Sequence, residues 1–226
     1  MFHYPFFNPL FSCSRGKAPP PTIILKREEY LLSRRNPAHF SQYQPFLPNF
    51  GITKTSGYDP PWQYEQKRLS GAAEHHYPTM SIETLCALPI AELAAEDSAL
   101  FLWATFPQLP EALRLLKAWG FQYKTTAFVW LKLNKKARTW FYGLGFWTRG
   151  NAEICLLATR GHPKRQSAGI HQFIISPVRQ HSRKPDEARD KIVALMGDVP
   201  RVELFARQET PGWDVWGNEV ESSITL

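Results

Sequence analysis

The sequence predicts an α/β domain: a mostly parallel sheet with helices on both faces. Three observations point there. Short apolar runs alternate with amphipathic stretches, Gly and Pro punctuate the ends of those stretches, and 226 residues at 43% hydrophobic suffice for one sizeable core plus an appendage. Ser81 is placed to cap a short helix carrying Ile82, Leu85 and Cys86, broken at Pro89 and resumed through Leu93. Ala99 to Trp103 is a continuous apolar run and reads as a buried strand. Pro110 opens a helix with Leu113, Leu116 and Trp119 toward the core, and Gly120 stops it. Strands are expected at Phe121 to Leu131, Glu153 to Thr159 and Gln172 to Ser176. Pro185 suits the first turn of a helix whose Ala188, Ile192 and Leu195 share a face, with Gly197 ending it and Val202 to Ala206 as the last strand. Strands separated by helices in this way favour parallel pairing. Residues 1–56 carry eight prolines and no sustained apolar period, so they read as an irregular extension; 57–220 is the domain and 221–226 a tail.

Composition narrows the function classes. No apolar run reaches membrane-spanning length, and the Phe-rich start lacks the basic segment of a signal peptide, so a cytoplasmic chain is expected. Cys13, Cys86 and Cys155 are an odd count without CxxC spacing, and the adjacent His75 and His76 have no further ligands nearby. Neither a disulfide framework nor a metal site is indicated. The net charge is +7, unevenly spread: Ala112 to Pro185 holds fourteen Lys/Arg against the single acid Glu153. Phe121, Phe128 and Trp130 in that stretch read as core. Lys132, Lys135, Lys136 and Arg138 beside Trp140 to Tyr142 read as a nucleic-acid surface, because no periodicity buries the segment.

Asp59-Pro60-Pro61-Trp62 carries the chemistry. An aromatic exocyclic amine is a weak nucleophile, its lone pair delocalised into the ring, so orientation has to activate it. The Asp59 carboxylate and the Pro60 carbonyl can each accept one N–H of such an amine and aim its lone pair at an electrophilic methyl. The prolines fix φ and bring no competing N–H, and Trp62 can stack on the base. The plain alternative is a Pro-Pro turn followed by a buried Trp.

Ordered blocks now accumulate: the Asp59 tetrad, His76-Tyr-Pro-Thr-Met80, Leu100-Phe-Leu-Trp103, Asn151-Ala-Glu-Ile-Cys155, His181-Ser-Arg-Lys-Pro-Asp-Glu187, Val202-Glu-Leu-Phe-Ala-Arg207 and Gly217-Asn218. In this order they resemble the adenine-N6 methyltransferases of the family named for the seventy-kilodalton subunit of the mRNA adenosine methyltransferase, its phage and bacterial members most of all. The resemblance implies a Rossmann-like fold, S-adenosylmethionine as methyl donor, and adenine in nucleic acid, DNA before RNA, as acceptor. It implies that Lys184 holds the cofactor's carboxylate, that Glu203, Arg207 and Asn218 bond its ribose, that Phe205 lies against its adenine, and that Asp59 serves cofactor and base alike. A carboxylate suits the ribose because it accepts from two vicinal hydroxyls. Without the resemblance, Lys184 would read as a solvated loop lysine and Glu203 as an ordinary strand-end charge.

Tyr77 corresponds to a tyrosine near the incoming base, or else packs with its hydroxyl toward solvent. Glu153 either faces the acceptor nucleoside or pairs with Arg149. Trp213 and Trp216 either wall the cofactor or pack the last strand. No metal is expected, since a sulfonium already activates its methyl. One stretch departs from the family pattern: Phe50 to Tyr58 is polar and Gly-broken where an apolar strand should lead into Asp59, and it does not read as a buried central strand. The alternatives are therefore the same reaction on RNA, or a silent nucleic-acid-binding relative whose broken upstream strand prevents cofactor binding.

Overall fold

The computed structural model describes residues 53–58, 60–62, 79–145, 147–180 and 182–226. Strands β1 (Thr53–Tyr58), β2 (Ala94–Ala104), β3 (Gln122–Leu133), β4 (Ala152–Arg160), β5 (Phe173–Pro177), β6 (Arg201–Leu204) and β7 (Asp214–Trp216) form one sheet in the order β5-β3-β4-β2-β1-β6-β7. The helices are α1 (Ile82–Cys86), α2 (Ile90–Leu93), α3 (Leu109–Ala118) and α4 (Glu187–Met196). The sheet is mixed. β1 pairs parallel with both β2 and β6, β3 with β5, and β6 with β7, whereas β4 runs antiparallel to β2 and β3.

Alternation along β2 divides the core in two. Leu100, Leu102 and Ala104 pack with Leu85, Ile90, Leu93, Ala112, Leu115 and Leu116 from α1, α2 and α3. Ala99, Phe101 and Trp103 pack on the opposite face with Phe128, Trp130 and the α4 residues Ala188, Ile192 and Met196. Helices therefore cover both faces, as expected, and Phe121, Phe128 and Trp130 are core residues.

Local chemistry explains most element ends. The Ser81 side chain accepts from the Thr84 N–H at 3.2 Å and caps α1. In α3 the inward residues are Ala112, Leu115 and Leu116, with Trp119 buried just beyond, a spacing of three, four and seven. Leu113, expected inward, is exposed. The last long strand stops at Leu204 because Phe205 turns into the left-handed region at φ 59°.

One expectation is overturned outright. Residues 53–58 do form a strand, β1, and it is central: Gly57 opposes Phe101 on one side and Glu203 on the other. Hydrogen bonding to two neighbours satisfies this backbone without an apolar side-chain run. The Trp213 ring lies beside Gly57, and a β-carbon there would make only an ordinary van der Waals contact with it at 3.6 Å.

Candidate active site

Strands β1, β2 and β6 end side by side, and a pocket opens at those carboxyl ends, where chain order changes direction across β1. Crevices of this kind in α/β sheets are where ligands bind. Gly57, Trp103, Glu203 and Phe205 contribute strand ends, while Ser182, Lys184, Pro185, Ala188 and Arg189 come from α4 and the loop before it.

The loop into α4 is held by charge. Arg179 donates to Asp186 Oδ2 at 2.6 Å and to the Lys184 carbonyl at 2.8 Å, and Arg189 donates to Asp186 Oδ1 at 2.9 Å. The Arg179 hydrogen bond, with the nearby guanidinium charges, holds the Asp186 carboxyl below the usual carboxylate range. Ser182 (φ 57°) and Phe205 (φ 59°) are the non-glycine residues with positive φ among those described, and both line the pocket. Such strain gathers at functional sites.

Lys184 lines the pocket and is not the solvated loop lysine that its sequence context alone suggests. Its Nζ lies 3.2 Å from Glu153 Oε2, donates to the Ser182 carbonyl at 3.1 Å, and stands 6.0 Å from the centre of the Trp103 ring. Glu153 also accepts from Lys132 Nζ at 2.5 Å. Its proposed pairing with Arg149 is thereby corrected: the partners are Lys132 and Lys184. Burial alone would push the Glu153 pKa up, but the two ammonium groups outweigh it and hold the carboxyl below its ordinary value. Lys132, expected on the phosphate surface, is instead a largely buried partner of Glu153 and sits 5.0 Å from the Trp130 ring centre. The hydrogen-bonding pattern of β3 and β4 brings it there, because Lys132 follows Trp130 and Leu131 opposite Glu153 and Ala152.

Glu203 lines the pocket with both oxygens engaged by Arg189, Nε to Oε2 and Nη2 to Oε1, each at 2.7 Å. Burial would lower the Arg189 pKa, yet the Glu203 carboxylate raises it on balance. Each Glu203 oxygen keeps a lone pair for a further donor. Arg207 also lines the pocket and donates to Glu219 at 2.8 Å. Phe205 meets Trp216 edge to face at 5.4 Å. Asn218 is exposed and is not brought into the lining; its neighbour Glu219 is. Trp213 packs in the α4-side core and also lines the pocket.

The tetrad follows β1. Asp59 and Tyr77 lie outside the described residues, as do His75 and His76. Pro60 is buried, and its carbonyl accepts the Trp62 N–H at 2.8 Å; the Pro61 carbonyl accepts from Met80 at 2.9 Å. The prolines bring no N–H of their own, as expected, but each of their carbonyls already accepts a backbone N–H, from Trp62 and from Met80. Trp62 is buried at 6% exposure in the core with α1 to α3, and its Nε1–H donates to the Trp103 carbonyl at 3.3 Å. Its ring anchors the turn and offers a base little free face.

Lys135, Lys136 and Arg138 are exposed on the hairpin between β3 and β4 and do not line the pocket. Sequence reasoning missed Arg189, Arg179, Trp103 and Gly57. Arg189 had a signal, since it lies one helical turn beyond Asp186. Among the described residues no group of three His, Cys, Asp or Glu could hold a metal ion.

The site is thus a charged, part-aromatic pocket at the carboxyl ends of an α/β sheet, with the Asp-Pro-Pro-Trp segment following the central strand β1. Residues 58–219 match the MT-A70 family, and the chain belongs to it. It is 31% identical over 182 residues to the Type II methyltransferase M.MunI of a Mycoplasma species, covering 72% of this chain and 75% of that protein. It is 30% identical over 167 residues to the human N(6)-adenosine-methyltransferase catalytic subunit METTL3, and 31% identical over 167 residues to a Drosophila melanogaster MT-A70-like protein. Each of those alignments covers 72% of this chain, but only 27% of the human and 26% of the fly protein.

Proposed function

We propose that this chain transfers a methyl group from S-adenosylmethionine to the exocyclic N6 of adenine in nucleic acid, with DNA as the substrate. The enzyme is an adenine-N6 methyltransferase; family membership and the named relatives support that much directly. The observation that carries the finer reading is the pocket at the ends of β1, β2 and β6, which adjoins the strand leading into Asp59. Its donor set suits the cofactor. Lys184 offers a cation for the carboxylate, Glu203 offers acceptors for vicinal hydroxyls, and Phe205 offers a ring for the adenine. The central, doubly parallel pairing of β1 and the helices on both faces support reading the fold as Rossmann-like.

When bound, the cofactor supplies a sulfonium-activated methyl that leaves a neutral sulfide. The chain's own work is to orient the acceptor. Pro60 is buried and its carbonyl is fixed by the Trp62 N–H, leaving one lone pair for an amine N–H, while Asp59 accepts the other. Trp62 secures that turn through Trp103, and Tyr77 and Glu153 complete the base pocket. Lys135, Lys136 and Arg138 meet phosphates from the exposed hairpin. In duplex DNA the target base must leave the stack to reach Pro60.

The central pairing of β1 favours an active enzyme over a silent relative, since that strand was the element in doubt. The likeness to a Type II methyltransferase over three-quarters of that protein's length (75%) supports DNA; the likeness to METTL3 keeps RNA as the second reading. No helix among the described residues is long and apolar enough to cross a membrane. Incubation with labelled cofactor and matched DNA and RNA, followed by nucleoside analysis, tests the proposal. Methyl-N6-adenine in DNA supports it, and its absence from both substrates overturns it.

A further inference from the structure

The hairpin between β3 and β4 ends in a side chain the fold does not use. Trp147 is 99% exposed, Leu144 76% and Tyr142 62%. A large aromatic that buries nothing against its own chain contributes nothing to the core, so its use lies in something it meets. The residues on either side of the tip are nonetheless held together. The Gly143 N–H donates to the Gly150 carbonyl at 2.6 Å, and a β-carbon on Gly145 would collide with the Thr148 carbonyl oxygen. Trp147 lies beyond this closed stem. Below it, the stem is bonded to the sheet, with the Phe141 N–H to the Lys132 carbonyl at 3.0 Å and the Lys132 N–H to the Asn151 carbonyl at 2.9 Å.

Two further observations decide what it meets. Between Asn134 and Ala152 the hairpin carries Lys135, Lys136, Arg138 and Arg149 and no acid, and all four cations are exposed. A protein surface would suit the aromatics, but a polyanion suits this charge. Position is the second. β3 runs in the same direction as β2, so its hairpin leaves the sheet at the edge where β1 and β2 deliver the pocket, and Lys132 at its base shares Glu153 with the pocket residue Lys184.

We propose that Trp147 enters a nucleic-acid duplex and fills the space left by the target adenine when that base turns out toward Pro60. The inference rests on the functional reading above and adds to it a duplex substrate and the residue that opens it. Extruding a base unstacks its neighbours, and an aromatic side chain inserted between base steps restores stacking on both sides. The exposed cations flank the insertion and hold the phosphates on either side.

The test uses the full chain, wild type and Trp147→Ala, on fragmented adenine-rich DNA and RNA given as duplex and as the same material heat-denatured. Trp147→Ala is expected to slow methylation of the duplex roughly five- to a hundredfold, the range of one lost aromatic–base stack, with the denatured substrate methylated at the wild-type rate. Trp147→Phe should recover much of the duplex rate. With 2-aminopurine as the target base, wild type should raise its fluorescence on binding, and Trp147→Ala should not. Equal losses on both substrates, no loss on either, or a wild type active on single strands alone would overturn the insertion while leaving the methyltransferase reading in place. A variant that changes the sedimentation of the protein without nucleic acid would mark the hairpin as a protein interface and overturn it likewise. A wild type that methylates no nucleic acid overturns the functional reading, and this inference with it.

Discussion

Arg189 grips Glu203 through a two-bond fork, both contacts at 2.7 Å, while a third bond ties the same guanidinium to Asp186 at the start of α4. A helix side chain thus fixes the direction of a strand-end carboxylate inside the pocket. The pair is about four-fifths buried, each side chain being 20% exposed.

If Glu203 presents its remaining lone pairs to the cofactor ribose, loosening it should be felt in binding. Arg189→Met is expected to weaken affinity for S-adenosylhomocysteine by about 1 to 3 kcal/mol, as is Glu203→Ala, the range for a buried polar group left unpaired. Arg189→Lys should recover only part, because an ammonium cannot reproduce the fork. Calorimetric titration decides it; full affinity in both Arg189→Met and Glu203→Ala would place the cofactor elsewhere.

Glu153 bridges Lys132 and Lys184, and the sign of its pH dependence follows from its depressed pKa. Ionised Glu153 stabilises the fold above the unfolded-state pKa of about 4.3, and that contribution fades as pH falls through the lower folded value. Glu153→Gln leaves two buried ammonium groups facing a neutral amide, and should cost on the order of 3 kcal/mol at neutral pH. The gap between variant and wild type should close as the solution is acidified below the ordinary Glu range. Denaturant melts across that range check this, and a gap independent of pH would contradict it.

Trp62 is a core residue with a bonded indole, so Trp62→Ala should destabilise the domain by about 3 to 5 kcal/mol. Trp62→Phe should keep most of that stability while losing the bond to Trp103. A variant that melts like wild type but binds substrate poorly would restore the base-stacking role.

Neutralising Lys135, Lys136 and Arg138 together should reduce the slope of log affinity against log salt by about 0.9 per lost contact on duplex, or about 0.7 on single strands. Fluorescence anisotropy across a salt series measures it, with cofactor affinity unchanged because none of the three lines the pocket. An unaltered slope would make the segment a solvated face. Lys132 does not belong in this set, since its ammonium is committed to Glu153.

Elements whose apolar residues make a run or a helical stripe were legible in the sequence: β2, α3, β4 and α4 fall within a few residues of expectation. β1 was not, because a central strand is recognised by apolar side chains, and this one holds its place through backbone pairing on both sides. The charge partners were not either. Glu153 with Lys132 joins adjacent strands and Glu153 with Lys184 joins a strand to a distant loop, so no spacing in the chain could announce them. Lys184, Glu203, Phe205 and Arg207, singled out from the family blocks, do line one pocket. Asn218, beyond β7, was not carried to that lining.

In the proposed reaction the carboxylate after β1 orients an adenine amine, and the most direct measurement of this is methyl transfer from labelled cofactor to DNA by wild type and Asp59→Ala. The prediction is N6-methyladenine formed by wild type, and a rate lower by on the order of a hundredfold or more in the variant at unchanged melting temperature, as for loss of one preorganised polar contact in a transition state. Near-normal turnover by purified Asp59→Ala would contradict it.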